Sequence, residues 1–276
     1  QMNEESKGMK ARKSLALMLM LAAAQASAQI HEGDIAVGVN DGVITVGTAT
    51  DGMGTITERQ CVFGVALEAQ ARTTDPGFDT DTGTFVSGTE LAYFIGSALR
   101  KWDGTDFNTN PPEKVRISFG PAPGISTPET DPAQPLEGIF VGVSTGGEWH
   151  THYAYRLELD GSPATGTSSN GVYLLRLELR ASTSSYLASD PFWLVIVENA
   201  PMQELDEAYA FAEAAFGCPI VVCLADINGD GSVTPADFSA WVAAFNAMSP
   251  ACDQNGDGAC TPADFSAWVS NFNAGC

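Results

Sequence analysis

Between residues 29 and 200 apolar side chains recur at every second position, the period of a strand with one buried face. Ile35, Val37 and Val39 alternate with smaller or polar neighbours; Asn40-Asp41-Gly42 follows, and then residues 43–46 are again strand-like, which predicts a hairpin closed by a tight turn. Residues 61–69 and 114–119 have the same form. In 149–159, Trp149, Thr151, Tyr153, Tyr155, Leu157 and Leu159 share one face, with His150, His152, Arg156 and Glu158 on the other. Tyr173, Leu175, Leu177 and Leu179 repeat the pattern opposite Arg176, Glu178 and Arg180. Residues 192–197 are apolar on both faces, as in a central strand. A helical turn or two is expected within 90–101, and an irregular loop over 120–135, which carries five prolines. Many short strands separated by Gly, Pro, Thr and Asp predict a mainly β chain, with a β-sandwich-like domain or related barrel over 29–200.

The period then changes. In 203–216 Leu205, Ala208, Ala212 and Phe216 share one side of a short helix, and a connector runs to 222. Residues 226–246 and 253–273 are two copies of one unit, offset by 27 and identical at 16 of 21 positions. Each copy opens with D-x-N-x-D-G, a loop that sets oxygen ligands at alternating positions around one hard cation. In the first copy Asp226, Asn228 and Asp230 take positions 1, 3 and 5. Gly231 makes the sharp turn, Ser232 offers its carbonyl, Thr234 acts directly or through water, and Asp237 closes the shell at position 12. The same roles fall to Asp253, Asn255, Asp257, Gly258, Ala259, Thr261 and Asp264 in the second. All-oxygen donor sets of this size select Ca²⁺ over Mg²⁺ or Zn²⁺, so two Ca²⁺ sites are expected. A capped amphipathic helix follows each loop: Thr234 and Thr261 as N-caps, Pro235 and Pro262 at the first position. Phe238, Trp241, Val242 and Phe245, and their counterparts Phe265, Trp268, Val269 and Phe272, form stripes able to pack on one another.

Charge and cysteine usage change the picture further. Thirteen basic residues against 34 acidic ones give −21, which excludes a nucleic-acid partner, since a polyanion repels such a surface. No Lys or Arg follows Arg180, so the C-terminal third stays anionic until a cation neutralises it. Lys10, Arg12 and Lys13, an apolar run over 14–24, and Ala26-Ser27-Ala28 together read as an export signal cleaved after Ala28, with residues 1–8 lying upstream of it. The apolar run is too short to span a bilayer, and no later stretch is long enough, so the mature chain is expected to lack a membrane span and to be secreted or held at the cell surface. The cysteines at 61, 218, 223, 252, 260 and 276 are even in number, as expected of disulfides in an exported chain, and spacing alone leaves about 15 pairings open.

At the duplicated loop-helix unit the sequence resembles a type I dockerin, and its ending, CDQNGDG through DFSAWVSNFNAGC, resembles the variant found at the C-termini of secreted planctomycete-type bacterial proteins. The resemblance covers residues 223–276, and Asp at position 12 agrees with it. It implies a module that binds two Ca²⁺ and attaches its carrier to a cohesin-like scaffold or cell-surface protein. Pro235-Ala236 and Pro262-Ala263 stand where cohesin-binding members commonly carry small hydroxyl residues. Because the family's chain ends lie side by side, the resemblance also implies a Cys223–Cys276 clasp with Cys252–Cys260, leaving Cys61–Cys218 to tie the two regions together. The β region, in HEGDI, GVYLLRLEL and SDPFWLVIVEN, resembles secreted β-rich proteins of the same bacteria, which implies a fold and no reaction. Dockerins often carry carbohydrate-active cargo, so a polysaccharide-acting enzyme or polysaccharide-binding protein is the alternative expectation.

No catalytic set emerges. Gly142-Val143-Ser144-Thr145-Gly146 matches G-x-S-x-G, but a hydrolase elbow needs strand, turn and helix, and a strand follows here; a hairpin turn is expected. His150 and His152 share a strand face, so a metal joining them is sterically possible, but without companion ligands in sequence we read them as a solvated polar face. Asp75, Asp79 and Asp81 read as an exposed acidic turn.

Overall fold

The computed structural model describes residues 33–49, 56–218, 224–228 and 233–274. The segment expected to be an export signal, Cys223, Cys276, Asp230, Gly231 and Ser232 lie outside them. The described chain is mainly β with three α-helices. The principal strands are β1 (Ile35–Asn40), β2 (Val43–Thr48), β3 (Val62–Ala66), the short β4 (Phe78–Asp79), β5 (Glu90–Ile95), β6 (Lys114–Ser118), β7 (Ala154–Leu159), β8 (Gly171–Ala181) and β9 (Phe192–Glu198). The helices are α1 (Met202–Phe216), α2 (Pro235–Asn246) and α3 (Pro262–Ala274). Among the described residues no helix is long and apolar enough to cross a membrane.

The strands form three sheets. In the largest, of seven strands, β5, β8, β9 and β3 lie side by side, antiparallel except for the parallel pair β9–β3. A second sheet centres on β6 and β7, and a third on β1 and β2, with β4 parallel to β1 at Ile35↔Phe78. The β1–β2 hairpin turns on Asp41 and Gly42 at φ of 49° and 79°. Two successive positive φ values match the right-handed twist of the flanking strands, which explains the Asp-Gly pair.

Alternation decides what each strand buries. Tyr173, Leu175, Leu177 and Leu179 of β8 join Phe192, Leu194 and Ile196 of β9 in one core, together with Ile35, Val37, Ile44, Val115, Ile117, Tyr155 and Leu157 from the two smaller sheets. The opposite face of β8 and β9 presents Val172, Leu174, Val195 and Val197 to Leu205, Ala208, Tyr209 and Ala212 of α1. The double-sided apolar run at 192–197 therefore has a cause: sheets cover one face and a helix the other. The Tyr209 hydroxyl donates to the Val62 carbonyl at 3.0 Å, and Trp193 stacks on Phe216 at 5.2 Å. Cys61–Cys218 then bonds the end of α1 to the residue before β3.

One expectation is corrected. Within 90–101 there is no helical turn; residues 90–95 form β5, hydrogen-bonded to β8 from Leu91↔Ala181 to Ile95↔Leu177. The segment Leu-Ala-Tyr-Phe-Ile is buried throughout. Such a run carries no period to separate strand from helix, and pairing with β8 decides it. The loop at 120–135 is irregular apart from Ile125–Ser126, which pairs with β6. In 149–159 the regular strand begins only at Ala154, with Thr151 bridged to Phe78 ahead of it.

Candidate metal centre

Each C-terminal loop is built around the aspartate at its twelfth position. In α2, Thr234 Oγ1 accepts from the Ala236 N–H at 3.2 Å, and Asp237 Oδ2 accepts from the Thr234 N–H at 2.8 Å, a reciprocal cap. In α3, Ala263 N–H donates to Thr261 Oγ1 at 3.3 Å and Thr261 N–H to Asp264 Oδ2 at 2.7 Å. The second carboxylate oxygen reaches back to the loop's start: Asp237 Oδ1 accepts from Asn228 N–H at 3.2 Å, and Asp264 Oδ1 from Gln254 N–H at 2.9 Å. One side chain thus caps its helix and closes its loop, and Asp237 and Asp264 are both fully buried.

The second loop winds around its own acids. Asp253 Oδ1 accepts from Gly256 N–H at 2.8 Å and Asp253 Oδ2 from Gly258 N–H at 2.8 Å; Asn255 Oδ1 accepts from Asp257 N–H at 2.9 Å, and Asp257 Oδ1 from Ala259 N–H at 2.9 Å. Gly258, at position 6, sits at φ 82°, the left-handed conformation its place requires. Asp253, Asp257 and Asp264 each accept backbone N–H groups of this one loop, as does the amide oxygen of Asn255, while Thr261 caps the helix and Ala259 stays exposed. In the first loop Asp226, Asn228, Thr234 and Asp237 take matching places, and Asp230 and Ser232 lie outside the described residues. An all-oxygen set holding a buried carboxylate, in a stretch with no basic side chain, fits a hard cation such as Ca²⁺. Cys252–Cys260 spans the second loop.

The two copies brace each other in a way the repeat did not reveal. Trp241 of α2 donates its indole N–H to the Cys252 carbonyl at 3.2 Å, just before the second loop. Trp268 of α3 donates to the Ala225 carbonyl at 3.3 Å, just before the first. Each helix holds the opening of the other's loop, and both indoles are buried. Gln254 and Asn271, which have no counterparts in the first copy, add a 3.1 Å bond at the second loop alone. The expected packing of the stripes is incomplete: Phe238 lies 5.9 Å from Phe265, yet they remain 40% and 43% exposed, with Val242 and Val269 beside them also exposed.

Hydrogen bonds hold the Asp237 and Asp264 carboxyls below their ordinary value, chiefly those from the Thr234 and Thr261 N–H groups. A lowered folded-state value means a contribution fully present above the ordinary carboxyl pKa of ~3.9 and lost as pH falls through the lowered one. In saturating calcium, the far-UV helical signal of the module is therefore expected to hold on acidification from neutrality to about pH 4 and to be lost below that. Loss already above about pH 6 would contradict this account of the two aspartates.

The other sequence candidates separate clearly. Ser144 Oγ accepts from the N–H groups of Gly146 and Glu148 at 3.1 and 3.2 Å, the geometry of a hairpin turn. Asp75 and Asp79 do not form an isolated acidic turn; they lie against His152 and His150 respectively. No protein-family model matches the chain, and neither a curated protein nor a solved structure matches it.

Proposed function

We propose that this is an exported protein in which a β-sandwich-like domain is attached to a partner through a C-terminal, dockerin-like module that binds two Ca²⁺. The observation that carries this reading is the duplicated loop with its buried closing aspartate, each copy braced by the other's tryptophan. Cation binding at one loop fixes the carbonyl that anchors the opposite indole, so both loops and both helices form one cooperative unit. The exposed edge of Phe238, Val242, Phe265 and Val269, contributed equally by α2 and α3, supplies the apolar patch that a protein partner of cohesin type or a surface protein would cover.

The test is capture of envelope proteins from the source organism by the immobilised full chain, in calcium and in EDTA, beside the double variant Phe238→Ser/Phe265→Ser. The reading requires a partner retained in calcium and lost both in EDTA and in the variant. Retention indifferent to calcium would overturn it.

A further inference from the structure

Three neighbouring segments place their outward side chains on one spot of the β-rich domain. Ile35, Phe78 and Thr151 point into the protein and are buried. Ile35 pairs with Phe78, and Phe78 bridges Thr151 through two backbone bonds of 2.8 and 3.0 Å. Alternation therefore turns Asp34, Gly77, Asp79, His150 and His152 to the same outer face. Asp34 Oδ2 lies 3.4 Å from His150 Nδ1 and 3.5 Å from His152 Nε2, and Asp79 Oδ1 lies 3.3 Å from His150 Nδ1. One ligand atom each from Asp34, His150 and His152 falls within 4.8 Å of the others.

The surroundings orient these atoms. Gly77 N–H donates to Asp34 Oδ1 at 3.1 Å, which turns Oδ2 toward the imidazoles. Glycine at 77 lets the cluster close over it, since a Cβ there would stand 2.7 Å from the His152 ring and 2.8 Å from Asp34 Oδ1 and push them aside. His152 Nδ1 faces the Thr74 carbonyl at 3.1 Å and the Asp75 carboxylate at 3.4 Å. A carbonyl only accepts, so Nδ1 carries a hydrogen, and Nε2, the nitrogen beside Asp34 Oδ2, is the one a metal would take. An N–H to carbonyl bond on the far ring nitrogen is the usual way a metal-binding histidine is held. His150 Nδ1 is likewise flanked by two carboxylate oxygens. A tetrahedral ion with bonds of ~2.0–2.1 Å has ligand-to-ligand edges of roughly 3.3–3.5 Å, which the two contacts of Asp34 with the imidazoles match, the third edge lying within 4.8 Å.

We propose that Asp34, His150 and His152, with Asp79 alongside, form a site for one divalent transition-metal ion of the Zn²⁺ class, separate from the C-terminal calcium loops. Imidazole nitrogen is a poor donor for Ca²⁺ and a good one for Zn²⁺, Co²⁺ or Cu²⁺, so the chemistry of the two kinds of site does not overlap. His150 is 54% exposed, which leaves the ion's outer side open to solvent or to a ligand. The ion joins the start of β1, β4 and the segment before β7, and so ties the third sheet to the second.

The test uses the full chain saturated with Ca²⁺, titrated with Co²⁺ and followed by its visible d–d absorption. One equivalent is expected to give a low-symmetry band that Zn²⁺ displaces. His150→Gln, His152→Gln and Asp34→Asn should each weaken it roughly tenfold or more, and the double histidine variant should abolish it. These side chains are partly exposed, so far-UV circular dichroism of the variants in metal-free buffer should match the parent. A spectrum that stays that of aqueous Co²⁺ at stoichiometric excess overturns the proposal, as does a band that survives in the double histidine variant.

Discussion

Removal of calcium from the full chain is expected to melt α2 and α3 while the β-rich domain keeps its own thermal transition. Among the described residues from 224 to 273 the buried apolar side chains are few: Ala225, Trp241, Cys252 and Trp268. A core of that size does not hold a fold together unaided, and a structural metal is the usual remedy in so small a unit. The acids meanwhile oppose compaction, because Asp253, Asp257 and Asp264 share one short loop and no Lys or Arg follows Arg180. With free calcium about a thousandfold above Kd, each site adds ~4 kcal/mol to the folded form. Calorimetry should find about two Ca²⁺ per chain, and EDTA should reduce the far-UV helical signal and the near-UV signal of Trp241 and Trp268. Asp264→Asn should weaken one site by roughly tenfold or more and leave the other measurable. No heat of binding, with spectra unchanged in EDTA, would end the calcium reading.

The second large effect lies in the β-rich core. Phe78 is fully buried on a strand of two residues, stacked 5.4 Å from Trp149 and edge-on to Tyr153 and Phe192 at 6.2 and 6.1 Å. Its ring fills the space where β1, β9 and the segment before β7 converge. Phe78→Ala is expected to cost about 3–5 kcal/mol through lost contact and the cavity left behind. At roughly 2–4 °C per kcal/mol for a domain of this size, the β-rich transition should fall by ~10 °C. Phe238→Ala, at a half-exposed ring, should leave that transition where it is. A loss below about 1 kcal/mol at Phe78 would mean the core is not packed as described. Because Phe78 sits between Gly77 and Asp79, the same variant should also loosen the His150–His152 cluster.

Local features are legible in the sequence because their causes lie within a few residues. The Asp41-Gly42 turn, the caps at Thr234 and Thr261, and the span of α1 each follow from contacts over at most one helical turn. The spacing of the loop ligands is equally local, and the repeat makes it unmistakable. Residues 90–95 mislead for the complementary reason: a run apolar on both sides has no period, and only β8 alongside makes it a strand. The histidine pair looks like a plain polar face in sequence because its partners are remote. Asp34 and Asp79 meet it only through the β1–β4 pairing and the Phe78–Thr151 bridge.

What the sequence determined by itself was most of the longer elements, the inward face of most strands, the two loop-helix copies and the anionic character of the C-terminal third. The tertiary structure alone decided the order of strands in three sheets, the covering of β8 and β9 by α1, the crossed tryptophan bonds and the meeting of Asp34 with His150 and His152. The physical reason is range. Periodicity and capping are short-range and say which way a side chain points, whereas the surface it meets is selected by the packing of the whole chain, where distant segments compete to bury the same apolar face.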